Sequence, residues 1–287
     1  MGVIIGLIGS CVCVAIGLGG PGGASLILIL IQPYEYIVII GCGFFATVTS
    51  HPTWVLKKLP GKIAQSVKGS GVDKELFTQL LGMMASVFDT MRKEGVLGIE
   101  GDLSNPHESA RFNKYPRASH DHHLMETFTG ALRLFVDGVV NAFDLERLLD
   151  TEIETHHEEE LIFPGAVKNT ADAFPAVGIV AAVLGIIITM QYIDGPPAEI
   201  GHHVAVALVG TMLGIFLCYC IVGPVGSKME SIVREKTAVL KCVQGGLVSF
   251  AGGAPPQVAL EFARKTIPSV FRPTSEELEQ ILKDAKK

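Results

Sequence analysis

The sequence predicts an all-α, polytopic membrane protein with four transmembrane helices and a helical cytoplasmic domain. Three observations carry that expectation. Two apolar stretches, 171–192 and 204–222, flank a short connection, 193–203, and each is long enough to cross a bilayer, which takes about 20 mostly apolar residues. Hydrophobic residues make up 48% of the 287-residue chain and charged ones only 18%, with a mean hydropathy of +0.42; a soluble domain carries about 25% charged residues. Outside the apolar stretches, no segment alternates as a strand, and the apolar residues recur at helical steps. A net charge of −6 with no basic stripe argues against a nucleic-acid partner.

The chain opens on two shorter apolar runs, 3–18 and 36–48, read as spans extended by Tyr34, Tyr36 and flanking glycines. A cleaved signal would need a basic start, but no Lys or Arg precedes Lys57. The same lack argues against a lipoprotein reading of Ile8-Gly9-Ser10-Cys11, and the sixth residue lacks the hydroxyl expected for myristoylation. Lys57, Lys58, Lys62 and Lys68 follow the second span; Lys228, Arg234, Lys236 and Lys241 follow the fourth. Positive charge gathers on the cytoplasmic side. Segments 51–168 and 224–287 are therefore expected inside, as are both termini, with 19–33 and 193–203 outside. The resulting organisation is a first hairpin at 1–50, a cytoplasmic helical domain at 51–168, a second hairpin at 169–223 and C-terminal cytoplasmic helices at 224–287.

Within 51–168, Leu76, Leu80, Met83, Met84, Val87 and Met91 share one helix face, which Gly95 and Gly98 interrupt. Asn105-Pro106 signals a turn. A longer run is expected to place Phe128, Leu132, Phe135, Val136, Val139 and Phe143 on one side. Thr274 with Glu277 has the spacing of a capping box before the last helix. Asp89, Arg92, Lys93, Glu94, Glu100 and Asp102 form either a solvated face or a docking surface for a charged partner.

The six cysteines fit no zinc spacing. Neither His120, His122 and His123 nor His156 and His157 form a metal motif, because adjacent helical histidines diverge by about 100°. No nucleophile–base pair or phosphate loop is legible, so no enzyme activity, cofactor or metal is expected. In the second hairpin, Gly178, Ala182 and Gly185 fall on one side of the third span, and Gly210 with Gly214 makes a GxxxG pair in the fourth, a pattern that lets helices approach closely. Thr211 is a lone hydroxyl on that surface. Pro175 and Pro224 bound the hairpin. No carboxylate is expected at mid-depth, so ion transport would need an acid from a partner chain.

These residues together resemble the MotA family of flagellar-motor stator subunits over essentially the whole chain. The resemblance runs through Gln32-Pro33, Arg92, Asn105-Pro106-His107-Glu108-Ser109, Tyr115-Pro116-Arg117 and Glu152-Ile153-Glu154-Thr155-His156. It continues through Pro175 to Gly185, Val209-Gly210-Thr211 to Pro224, Ala254-Pro255-Pro256 and Glu261-Phe262-Ala263-Arg264-Lys265-Thr266. It implies an inner-membrane pentamer around a dimer of MotB, whose single span carries the ion-binding aspartate, with the rotor protein FliG as the cytoplasmic partner. Thr211 would face that aspartate, Pro175 and Pro224 would couple protonation to movement, Arg92 and Glu100 would engage the rotor, and Glu152 would serve assembly. Sodium-driven relatives of the PomA type have a threonine where this chain has Ala182, so the resemblance implies H+ as the translocated ion. The neighbouring ExbB/TolQ class, which energises outer-membrane processes, is the alternative; its members typically have three spans and lack the first hairpin. A scaffold whose pore lies elsewhere is a further one, and would tolerate Thr211→Val.

Overall fold

The computed structural model describes residues 2–18 and 33–285, and no strand occurs among them. The outer loop expected at 19–33 lies, except for Pro33, outside the described residues. The chain divides into two compact units, one of Met1–Gly69 with Glu159–Ile232 and the other of Ser70–Glu158 with Val233–Lys287.

In the first unit, α1 (Gly2–Leu18) is apolar throughout. The next helix, α2 (Pro33–Ser50), reaches further back than the apolar run by taking in Pro33, Tyr34 and Glu35. A third helix, α3 (Thr53–Lys68), is amphipathic and holds Pro60. The unit also takes the C-terminal part of the long α9 (Ala142–Thr189), which ends in a 3-10 turn at Met190–Tyr192. After the connection, α10 (Pro197–Phe216) starts behind Pro196 and passes through a π-turn, Leu217–Val222, into α11 (Gly223–Ala251). Ala142–Tyr192 and Pro197–Ala251 are long and apolar enough to cross a membrane. At 17 residues, α1 spans about 25 Å at 1.5 Å per residue.

Contacts within this unit rely on small residues. Gly43 of α2 receives the Phe174 ring of α9, leaving only 2.5 Å between a hypothetical Cβ and Cε1. Thr47 and Thr170 join α2 to α9 by a 2.6 Å hydroxyl–hydroxyl bond. Lys62 of α3 pairs with Glu160 of α9 at 2.5 Å, and Lys168 of α9 pairs with Glu230 of α11.

The second unit has a water-type core of large side chains. Its centre is α4 (Lys74–Glu94), started by Asp73, whose carboxylate accepts from the Leu76 amide at 2.9 Å. All six residues expected on its apolar face are buried, with Phe77, Leu81 and Phe88 beside them. Phe88 stacks on Phe250 at 4.3 Å between ring centroids, and Phe77 stacks on Phe271. Gly95, at φ 75°, ends α4. Short helices α5 (Leu97–Ser104), α6 (Ala110–Asn113) and α7 (Pro116–Ser119) follow, with Asn105 at the C-terminal cap of α5.

One expectation is corrected here. The run beginning at Phe128 is not a single helix: α8 (His122–Val136) stops, Gly138 turns at φ 67°, and Asn141 caps the start of α9 by accepting from Phe143 and Asp144. Phe128 and Leu132 are buried, whereas Val139 and Phe143 are exposed. Apolar spacing carried across Gly138 put the last two on a face that the turn removes. The C-terminal helices are α12 (Pro256–Thr266) and α13 (Ser275–Asp284), the latter with the complete Thr274–Glu277 capping box.

Candidate functional site

The sequence-singled residues fall into two sets. Pro175, Ala182, Thr211 and Pro224 lie in the first unit; Arg92, Glu100 and Glu152 lie in the second. Each set has its own geometry.

In the first unit α9 and α10 meet backbone to backbone. A Cβ on Gly178 would come within 2.8 Å of the Gly210 carbonyl oxygen and 3.2 Å of Gly214 Cα. A Cβ on Gly214 would run into the Phe174 carbonyl oxygen, and one on Gly185 would sit 2.7 Å from Ala207 Cβ. The small-residue pattern thus produces a glycine seam along both helices. Such contact suits a membrane, where lipid removes the hydrophobic drive between helices and close packing must supply the attraction. Ala181, fully buried, turns its side chain to the seam, and Ala182 meets it through its backbone: their Cβ and N would lie 3.1 and 3.4 Å from a Cβ on Gly210.

Thr211 follows Gly210 and is half-buried. Thr49 and Thr189 donate their hydroxyls to the carbonyl four residues earlier, and of the paired Thr47 and Thr170 one does the same while the other donates to its partner's oxygen. Thr211 makes no hydrogen bond among the described residues. Its oxygen is therefore left available to another group at the level of the seam.

Both prolines interrupt helix bonding in the same part of the unit. Pro175 lies inside α9 and Pro224 near the start of α11; each lacks an N–H and crowds the carbonyl four residues back. At the second of these points the helix widens: Leu217–Val222 is π-helical, and the Gly223 amide donates to the Cys218 carbonyl five residues earlier. A Cβ on Gly223 would lie 2.5 Å from that oxygen and 4.0 Å from Ala171 Cβ, so glycine is what admits the wide turn. Single π-turns are frequent at functional sites. Pro224 lines a cleft of about 600 Å³ with Gly6, Ser66, Tyr219, Cys220 and Lys228. It is exposed to that space, which residues of α1 wall on the other side.

Sequence reasoning missed one residue. Glu35, which directly precedes the apolar run at 36–48 and was given no role, is only 8% exposed, and its Oε2 lies 3.2 Å from where a Gly210 Cβ would be. A span counted from its first unbroken apolar run excludes a carboxylate in the helix's opening turn; the glycine that makes room for it is far away in sequence.

In the second unit Arg92 and Glu100 are exposed, and neither enters an ion pair among the described residues. Of their charged neighbours, Asp89 pairs with Lys93 at 2.6 Å, and Asp102 with Arg111 at 2.8 Å and with the Ser109 hydroxyl. The charged run is therefore split between internal pairs and three members, Arg92, Glu94 and Glu100, without an ion pair among the described residues. Arg92 lines a cleft of about 370 Å³ together with Asp89, Lys93, Pro256 and Gln257. Glu152 is half-buried and accepts from the Thr127 hydroxyl at 2.6 Å, tying α9 to α8. His123 and His156 are in ring contact, with centroids 3.8 Å apart, and His157 bonds Thr237 at 2.8 Å. Among the described residues no group of three or more His, Cys, Asp or Glu is placed to hold a metal ion.

Residues 4–95 match the family described as Motility protein A N-terminal, and residues 119–241 match the MotA/TolQ/ExbB proton channel family. The chain is 37% identical over 251 residues to a chemotaxis protein LafT of Vibrio parahaemolyticus, covering 88% of each chain. It is 35% identical to motility protein A of Salmonella typhimurium, covering 87% of this chain and 84% of the relative. It is 33% identical to motility protein A of Escherichia coli over 89% and 86%. Its fold superposes on a chain of the MotAB structure from C. jejuni with a TM-score of 0.77 at 20% identity, covering 96% of this chain and 98% of that one. A chain of the flagellar MotAB stator complex from Bacillus subtilis gives 0.73 at 22%, over the same shares.

Proposed function

The chain belongs to the motility protein A family, and we propose that it is a stator subunit of the bacterial flagellar motor. With a MotB partner it forms an ion channel that converts ion motive force into torque on the rotor. The observation that carries this reading is the glycine seam of α9 and α10 with the unbonded Thr211 hydroxyl at its side. Polar groups within spans face a bundle interior or cavity more often than lipid. Thr211 would meet the ion-binding aspartate of MotB there.

The protein lies in the inner membrane with four spans, α1, α2, the C-terminal part of α9, and α10, and with both termini cytoplasmic. Five copies surround two MotB chains. Segments 51–168 and 224–287 then form the cytoplasmic part, between and after the hairpins at 1–50 and 169–223. The translocated ion is H+. Ala182 offers no oxygen ligand for sodium, a hard cation that favours oxygen. One elementary charge crossing about 150 mV releases about 3.5 kcal/mol, a useful bias for a ring held by close glycine contacts. Pro175 and the π-turn before Pro224 are where the helices bend as the ion binds and leaves. Arg92 and Glu100, left free by their neighbours' ion pairs, engage FliG, and Glu152 serves assembly through the α8–α9 tie.

Deletion of the gene should leave cells flagellated but paralysed, with wild type restoring swimming and Thr211→Val restoring it poorly. Normal swimming with an envelope or uptake defect would move the reading to the ExbB/TolQ class.

A further inference from the structure

Glu35 has no part in that assignment, and its surroundings are unusual for a carboxylate. Its Oε2 is buried and has no hydrogen-bond partner among the described residues. Buried polar atoms are nearly always paired, and an ionised group without partners is costly to bury. Among the described residues, the elements packed around it supply no counter-charge. Asp172 and Tyr192 on the apolar stretch of α9 and its end, and Glu199, His202 and His203 on the outer turns of α10, are the titratable groups of these neighbours, and none is ion-paired or hydrogen-bonded with Glu35 among the described residues.

Its depth is fixed by its neighbour. Gly210 lies six residues past Val204, where the apolar stretch of the fourth span begins, or about 9 Å at 1.5 Å per residue. Ala181, which also meets Gly210, lies eight residues before the end of α9, or about 12 Å. Glu35 therefore sits about 10 Å inside the outer end of the span, at the level of the residue preceding Thr211. Gly210 carries no side chain to cover it, and any Cβ there would press on its Oε2.

We propose that Glu35 is a second ion-handling carboxyl of this protein, binding and releasing a proton in series with the partner chain's acid. It rests on the stator reading above. The proton enters at Oε2 from the outer side and leaves from the same oxygen towards the seam beside Thr211. No other bond is made or broken. The unpartnered Oε2 and the bare Gly210 beside it are what fit it to that exchange.

Gln and Asp separate this role from a packing role. Glutamine keeps the size and hydrogen-bonding capacity but cannot exchange a proton; aspartate keeps the carboxyl. The test is rotation of single motors in a strain lacking the native gene, with fluorescently tagged subunits counted at each motor. Wild-type chain, Glu35→Gln and Glu35→Asp are compared. The expected result is normal recruitment of all three, torque per stator at least tenfold lower for Glu35→Gln, and at least half retained by Glu35→Asp. Equal torque for Glu35→Gln and wild type would overturn the inference, as would failure of Glu35→Gln to be recruited, which would assign a packing role. If the wild-type chain itself restores no rotation, the stator reading fails instead.

Discussion

The two units are held together in opposite ways. In the first, α9 and α10 touch through Gly178, Gly210 and Gly214, with backbone atoms where side chains would otherwise stand. In the second, α4 is wrapped by large side chains, with Phe77, Phe88, Met83 and Met84 fully buried. Water explains the second: burying each such side chain yields about 1.5–3 kcal/mol. Lipid explains the first, because apolar side chains gain little by leaving lipid for one another, and close backbone approach becomes the available attraction. A seam without bulky interlocking side chains also leaves room for small relative movements. The unit that would pass the ion is thus built without the jigsaw that fixes the other.

That contrast can be broken at single residues. Gly214→Leu places a side chain against the Phe174 carbonyl; it should abolish swimming, with no torque from single motors. Gly41→Ala, which meets nothing within 4 Å, should swim within about 20% of wild type on the usual scale of surface changes. Equal behaviour of the two variants would dissolve the seam argument. In the second unit, Phe88→Ala removes a ring stacked on Phe250 and should cost about 3–5 kcal/mol, read as a lower Tm and faster proteolysis of the purified complex. Thr127→Val removes the donor to Glu152 and should cost about 1 kcal/mol by the same assay.

A smaller effect concerns acid. Arg264, 6% exposed, bonds both oxygens of Glu261 at 2.6 and 2.7 Å and the Pro273 carbonyl at 2.9 Å. Its guanidinium holds the Glu261 carboxyl below its usual 4.5. The folded chain then binds fewer protons there than the unfolded one, so the contribution is present above the usual value and lost as pH falls through the lowered one. Glu261 is partly exposed, so solvent screening keeps it small. Glu261→Gln should flatten the acid limb of Tm against pH below about 4.5, while leaving Tm at pH 7 only slightly lower.

Legibility in the sequence followed the range of the physics involved. Local signals succeeded: helical spacing along 76–91 and the Thr274–Glu277 capping box correspond to buried and capped positions. The small-residue pattern located the seam because its spacing repeats within each helix. It did not separate Ala181 from Ala182, since one residue's rotation about the helix decides which side chain faces Gly210. Periodicity overran at Gly138, where one positive φ redirected Val139 and Phe143 to solvent. The π-turn left only Gly223-Pro224 as a trace, because widening depends on a carbonyl five residues back. Glu35 stayed hidden since its burial depends on a glycine 175 positions away.

The most direct test of the account is the ion dependence of torque in a strain whose only stator subunit of this type is this chain. Bead rotation would be followed while sodium is replaced by potassium, and then while a protonophore collapses the proton gradient. The account predicts unchanged torque in the first step and arrest in the second. Arrest on sodium removal, with rotation surviving the protonophore, would contradict it.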